Sequence, residues 1–95
     1  MIRANSGLPN LVGTLDLPAA NIAAGARAVL SVAAPGALLT DRLVYGFQTA
    51  LDAGLVVQYA SVRANLVEIS IFNPTAGGIV PGAIRTINWE VISNN

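Results

Sequence analysis

Residues Leu55–Phe72, LVVQYASVRANLVEISIF, decide the fold that this sequence predicts. Every second residue belongs to the same face of the chain on either side of a short polar stretch. Before this stretch one face consists of Val57, Tyr59 and Ser61, and after it one face consists of Val67, Ile69 and Ile71. This period of two predicts two β-strands joined by a reversal of four positions, Val62–Asn65. Because one face of the hairpin is apolar, we expect a second sheet to cover it.

Four further segments are predicted as strands from their alternation and from the turn signals between them. They are Leu11–Leu17, Ala26–Ala33, Arg42–Gln48 and Ile84–Ile92. Pro18, Pro35-Gly36 and Gly54 lie in the predicted turns. In the third strand, an inward stripe is predicted for Leu43, Tyr45 and Phe47. Gly46, which lies between two aromatic residues, predicts a bulge or a close backbone approach.

Two segments are predicted to lack regular structure. Ala19–Ala28 is rich in alanine, but Gly25 interrupts it and a strand follows, so the sequence favours a turn at Asn21–Gly25 over a helix. Asn73–Ala83 contains glycine and proline at short intervals, and its length suits a crossover between two sheets. Six to eight short strands without a helical period predict an all-β fold, either a small antiparallel β-sandwich or a partly open barrel.

Two parts of the chain differ in character. Residues 1–10, MIRANSGLPN, show no period and predict an extended N-terminal arm, whereas residues 11–95 predict a single domain. The arm either docks on a neighbouring subunit or stays unstructured. No apolar run follows the first residues, and Ile69–Ile84 contains too much glycine and proline for a membrane helix, so neither secretion nor a membrane span is expected.

The composition is apolar and weakly charged. Of the 95 residues, 54% are hydrophobic and 11% are charged, whereas about a quarter are charged in an average soluble domain. The five basic residues are all arginine and balance five acids, so the net charge is zero. Scattered, balanced charges do not favour nucleic-acid binding. Few charges and no lysine fit a subunit covered by neighbours, although an arginine-rich codon usage would also explain the missing lysine.

The residue types that carry most catalysis and metal binding are missing from the chain. Cysteine and histidine are absent, and so is lysine, which removes thiolate and imidazole ligands and most acid–base groups. The aromatic residues are about as many as a small core needs, and we expect Trp89 to be the largest packing element. The sequence therefore predicts neither an enzyme nor a cofactor.

The acidic residues have structural interpretations. Asp41 and Asp52 flank the third strand, and loop acids in such positions are usually turn residues rather than a catalytic pair. Glu68 and Glu90 are expected on outward faces, where arginines across the sheet can pair with them. The candidate partners are Arg63 and Arg85.

Several turn-and-strand motifs resemble those of capsid cement (decoration) proteins, which are short β-sandwich virion proteins of tailed bacteriophages. The motifs are Leu15-Asp16-Leu17-Pro18, Ile22-Ala23-Ala24-Gly25-Ala26, Pro35-Gly36-Ala37, Asp52-Ala53-Gly54-Leu55-Val56, Val62-Arg63-Ala64-Asn65-Leu66-Val67-Glu68-Ile69, Phe72-Asn73-Pro74-Thr75-Ala76 and Trp89-Glu90-Val91. The resemblance implies a virion protein, made in the host cytoplasm, that binds the outer surface of the major capsid protein lattice as a homotrimer or homodimer. About 800 Å² buried per partner would be enough for stable attachment.

Two other functions remain open. A tail or adhesion module that binds host glycans would need exposed tyrosine or tryptophan beside acids, and a small enzyme or inhibitor domain would need acid–base groups. For the interface we select Ile2, Arg3 and Leu8 in the arm and Ile79 and Val80 in the connection. Apolar residues in segments rich in glycine and proline have no strand of their own to pack into. The alternative is that they cap the ends of the core.

Overall fold

Six antiparallel strands make up the fold in the computed structural model, which describes residues 11–92. The strands are β1 (Leu11–Leu17), β2 (Arg27–Ala33), β3 (Arg42–Phe47), β4 (Val56–Arg63), β5 (Leu66–Phe72) and β6 (Arg85–Ile92). These residues contain no helix, and the alanine-rich segment after β1 ends in a turn in which Ala26 N donates to the Ala23 carbonyl at 3.0 Å. The predicted all-β class is confirmed.

The strands form two three-stranded sheets. Sheet A has the order β1-β6-β3, and sheet B has the order β2-β5-β4. Every neighbouring pair is antiparallel, and only β4 and β5 are consecutive along the chain. The sandwich prediction is therefore confirmed, and two separate sheets take the place of the alternative barrel.

The central strands β5 and β6 supply most of the core. The fully buried apolar side chains of these two strands are Val67, Ile69, Ile71, Ile87 and Val91. Trp89 is 6% exposed and lies in the same cluster, as predicted. From β1, Leu15 and Leu17 complete the packing. Removing each such side chain from water stabilises the fold by roughly 1.5–3 kcal/mol, which is why the inward alternation of β1, β5 and β6 is strictly kept.

The turn of the central hairpin is shorter than predicted. Two residues, Ala64 and Asn65, reverse the chain instead of the four of Val62–Asn65. Asn65 has a φ of 61°, in the left-handed region that asparagine tolerates better than most residues. Its side chain also accepts a hydrogen bond from Gly36 N at 2.9 Å, which ties this turn to the loop after β2.

A β-bulge in β4 changes which of its residues face the core. The register with β5 shifts between Val57 and Tyr59, so the residue between them is extra. A shift of one residue exchanges the two faces of a strand. Val57 points inward, but beyond the bulge Ala60 and Val62 pack in the core. The predicted single face of Val57, Tyr59 and Ser61 is therefore wrong.

β3 also departs from its predicted pattern. Its pairing with β6 is regular from Arg42 to Phe47, and no atom lies within 4 Å of the Cβ position of Gly46. The predicted bulge or close approach at Gly46 is therefore wrong. Leu43 and Phe47 pack against the core as predicted, whereas Tyr45 is 39% exposed because β3 is an edge strand.

The connection between β5 and β6 crosses from sheet B to sheet A, as predicted. The buried amide of Asn73 organises it: Nδ2 donates to the carbonyls of Ile22 and Gly77, both at 2.8 Å. Oδ1 accepts from the backbone N of Thr75 at 2.9 Å and from its Oγ1 at 2.6 Å. Ile79 forms an isolated antiparallel bridge with Ile22. The connection is thereby fixed to the loop between β1 and β2.

Candidate interaction surface

The outer face of sheet B carries polar side chains that bond to one another. Gln58, the extra residue of the bulge, accepts through Oε1 from Arg27 Nη1 at 3.1 Å and from Ser70 Oγ at 2.9 Å. Ser70 points outward, as its position in β5 predicts, yet it is fully buried. The bulge has thus aimed Gln58 at groups that would otherwise need water or a ligand.

Glu68 organises the rest of this face. Its Oε2 accepts from the hydroxyl of Tyr59, and its Oε1 lies 3.3 Å from Nε of Arg63. The pair with Arg63 confirms the prediction that an arginine across the sheet neutralises Glu68. The hydrogen bond to the Glu68 carboxylate raises the pKa of Tyr59, and burial and the negative charge act in the same direction. Gln58, Ser70, Tyr59 and Glu68 are therefore matched within the chain, whereas the buried Oγ of Ser61 has no hydrogen-bond partner among residues 11–92.

The outer face of sheet A is less polar. We define the sheet A outer face as the central positions that point away from sheet B: Val12, Thr14, Val44, Gly46, Asn88 and Glu90. In one cross-strand row, Glu90 lies between Val12 and Val44, whose exposed fractions are 69% and 54%. The two exposed valines lie on the edge strands β1 and β3, one on each side of the Glu90 carboxylate, and make this row largely apolar.

A shallow depression of about 620 Å³ lies on the sheet A outer face. Gly46 contributes no side chain to it, which lowers the surface beside Asn88. Asn88 Oδ1 accepts from Gln48 Nε2 at 3.1 Å, and Tyr45 borders the depression. Glu90 is the single charged residue among those that line it. The depression can accept an apolar or weakly polar surface, and it brings no second acid or base to Glu90.

Asp52 fixes the loop before β4 to the start of β6. Its Oδ1 accepts from Arg85 Nε at 3.0 Å, and its Oδ2 accepts from Arg85 Nη2 and from Gly82 N, both at 3.1 Å. The hydrogen bonds from Arg85 and then from Gly82 lower the pKa of Asp52, and the pKa of Arg85 is raised by the same pair. Arg85, considered as a partner for the glutamates, thus pairs with Asp52.

The other acids with defined partners also hold local structure. Asp41 Oδ2 accepts from Leu38 N at 3.0 Å, which agrees with its interpretation as a turn residue. Asp16 Oδ1 accepts from Thr86 Oγ1 at 2.9 Å across sheet A. Among residues 11–92, no three His, Cys, Asp or Glu side chains come together as a metal-binding group would.

The predicted interface residues have different positions. Ile2, Arg3 and Leu8 lie outside the described residues. Ile79 is partly buried against the core, which corresponds to the capping alternative, whereas Val80 is exposed beside it.

The sequence interpretation missed the apolar outer row of sheet A. Neither Val12 nor Val44 was singled out from the sequence. The signal that could have found them is a valine on the outer face of two strands whose inner faces are already apolar, since an outer face is normally polar.

Known proteins offer no guide to this surface. No family model, curated protein or solved structure matches the chain. Within residues 11–92 there is also no helix of the length and hydropathy needed to cross a bilayer.

Proposed function

We propose that this chain is a capsid cement (decoration) protein of a tailed bacteriophage. It binds the outer surface of the major capsid protein lattice and stabilises the head. The observation that carries the proposal is the sheet A outer face, where exposed valines surround one carboxylate. Binding across a junction of capsid subunits needs burial of such a surface and requires neither a cofactor nor a catalytic group. The turn-and-strand motifs that resemble cement proteins support the same function.

The distribution of exposed apolar side chains also supports an assembly subunit. With 11% charged residues, the chain has few groups to solvate its surface. Within residues 11–92, the exposed large apolar residues are Val12, Val29, Leu39, Val44, Tyr45, Val56, Val80 and Ile84. Single exposed apolar residues are common in soluble proteins, but Val12 and Val44 flank Glu90 in one row across the three strands of sheet A, and such a grouping favours an interaction surface.

The test is attachment to phage heads that lack this protein. The purified chain is mixed with the heads, sedimented and quantified, and we expect saturation at hundreds of copies per head and a higher melting temperature of the shell. Val12→Lys places a charge in the sheet A outer face and should weaken attachment at least tenfold. Val29→Lys is the matched control, because Val29 is similarly apolar but lies on the outer face of sheet B.

Two results would contradict the proposal. One is the absence of attachment at stoichiometric concentrations, or a location at a few copies on the tail. The other is equal loss of attachment in Val12→Lys and Val29→Lys, because the effect would then not belong to sheet A.

A tail or adhesion module that binds host glycans is the second candidate. Tyr45 is partly exposed and borders the same depression as Asn88 and Glu90, and an aromatic ring beside amide and carboxylate groups can bind a sugar. Titration calorimetry with host-surface glycans tests it. Binding that is lost in Tyr45→Ala, together with a tail location in the virion, would favour this function over capsid attachment.

A further inference from the structure

β3 leaves hydrogen-bonding groups free at the edge of sheet A. Gln48 N donates to the Thr86 carbonyl at 3.0 Å, so Gln48 and Thr86 form a hydrogen-bonded pair that extends the β3–β6 ladder. The direction of hydrogen bonding alternates from residue to residue in an antiparallel strand. The N–H and C=O groups of Leu43, Tyr45 and Phe47 therefore point away from β6. Among residues 11–92 no strand lies on that side.

β3 lacks the features that usually protect an edge strand. It has no bulge and no proline, and its charge is confined to the first residue, Arg42. The edge strand β4, which contacts β3 at the same side of the sandwich, is interrupted by its bulge. The outer face of β1 carries a charge at Asp16, whereas β2, like β3, has its charge at its first residue, Arg27. An unprotected, apolar edge is a template for pairing with another chain.

We infer that β3 pairs with β3 of a second copy around a two-fold axis at Tyr45. The two sheets A then become one continuous six-stranded sheet. In this register Tyr45 opposes the partner's Tyr45, and Leu43 opposes the partner's Phe47. The free N–H and C=O groups of Leu43, Tyr45 and Phe47 all become hydrogen-bonded. The three opposed pairs form two hydrogen bonds each, which gives about six in total. A register displaced by two residues would form only two such pairs.

The outer side chains are complementary in size in the same register. Val44 opposes the partner's Gly46, whose Cβ position has no atom within 4 Å. Val44 and the partner's Gly46 form a non-hydrogen-bonded pair, in which the two residues are closely spaced. A valine opposite a glycine packs there without a clash.

The register is complementary in charge as well. Arg42 opposes the partner's Gln48, so no like charges meet. Gln48 donates its Nε2 to Asn88, which leaves its Oε1 to accept from the arginine. The surface thus selects a second copy of this chain, and it does so whether or not the chain binds a capsid.

Light scattering after size-exclusion chromatography tests the inference on the full chain between about 10 and 200 μM. We expect the wild-type chain to be a dimer. Val44→Lys, at 54% exposure, should raise the dimer dissociation constant at least tenfold with an unchanged circular dichroism spectrum. Val29→Lys, at 52%, is the control and should remain a dimer. A wild-type monomer at 200 μM, or equal effects of the two variants, would overturn the inference.

Disulfide trapping tests the register, because the chain contains no cysteine of its own. Residues opposed in a non-hydrogen-bonded antiparallel pair have Cα atoms about 4.5 Å apart, within disulfide range. Oxidation of Val44→Cys mixed with Gly46→Cys should give a covalent dimer, and neither variant alone should. Cross-linking of a single variant, or none in the mixture, would refute this register. A wild-type chain that is a monomer at 200 μM and still saturates the heads would refute the dimer and leave the proposed capsid function standing.

Discussion

The indole ring of Trp89 lies over Gly13, its cross-strand partner in β1. A Cβ atom on Gly13 would lie 2.5 Å from Cζ2 and 2.9 Å from Cε2 of the ring, distances that real Cβ contacts do not reach. The largest core side chain therefore depends on the absence of a side chain on the neighbouring edge strand.

Gly13→Ala is expected to destabilise the fold by about 1–3 kcal/mol, because the indole or the backbone of β1 must move in a packed core. Urea denaturation followed by tryptophan fluorescence measures the loss. Gly46→Ala is the matched control, since it changes a glycine of the other edge strand of sheet A where the Cβ position is open. It should alter the free energy of unfolding by less than about 1 kcal/mol. Equal losses in the two variants would contradict the steric explanation.

Asn73→Asp is expected to destabilise the fold by about 2–5 kcal/mol. The aspartate keeps the acceptor toward Thr75 but removes both donors, and the carbonyls of Ile22 and Gly77 are then left facing a carboxylate oxygen. Equilibrium unfolding in urea at neutral pH measures the effect. Asn88→Asp is the control, because Asn88 is exposed and only accepts from Gln48, so its replacement should cost less than about 0.5 kcal/mol.

The ion pair of Asp52 and Arg85 predicts a loss of stability in acid. The pKa of Asp52 in the folded chain is lowered from its ordinary value of 3.8 by the hydrogen bonds from Arg85 and Gly82. A carboxyl with a lowered pKa stabilises the fold above pH 3.8, and this contribution is lost as the pH falls through the lower, folded-state value. Urea midpoints measured from pH 2 to pH 7 should therefore decline below about pH 4.

Asp52→Asn should make the decline of the urea midpoint below about pH 4 less steep. Arg85→Gln should do the same, because it removes the partner of the same carboxylate. If the urea midpoint falls as steeply with pH in both variants as in the wild-type chain, the decline comes from other groups.

The contact of Tyr59 with Glu68 predicts a loss of folding stability at alkaline pH. The Glu68 carboxylate accepts the hydrogen bond of the Tyr59 hydroxyl and raises the pKa of Tyr59 above its ordinary value of 10.0. A raised pKa means that the contribution to stability is full below pH 10 and is lost as the pH rises through the folded-state value. Glu68→Gln should lower the pKa of Tyr59, as measured by absorbance at 295 nm. Tyr45→Phe in both proteins removes the other tyrosine signal, and an unchanged titration would refute the assignment.

The alternation of apolar residues was sufficient to predict the strands. In β1, β5 and β6 the inward residues are buried or partly buried as the period of two requires, because a slip of one residue would turn this set toward solvent. Glycine and proline located the turns and the crossover, because turns need backbone conformations that glycine and proline favour over most other residues.

The features that the sequence did not predict depend on contacts between distant segments. The bulge at Gln58 arises where the residue can accept from Arg27 and Ser70, and neither is near it in the chain. The ion pair of Asp52 with Arg85 joins residues 33 positions apart. The strand order places Val12 and Val44 in one row on either side of Glu90, and the sequence does not show that they share this row. Local patterns carry no information about strand order.

The strand order has a consequence for synthesis of the chain. Sheet B can form completely once β5 has been made, but sheet A lacks its centre until β6 has emerged, because within residues 11–92 the strand partner of both β1 and β3 is β6. β1, which ends at Leu17, and β3, which ends at Phe47, thus remain without their partner until the chain has been made as far as β6, which begins at Arg85. Incomplete nascent chains should therefore be the species most in need of chaperones.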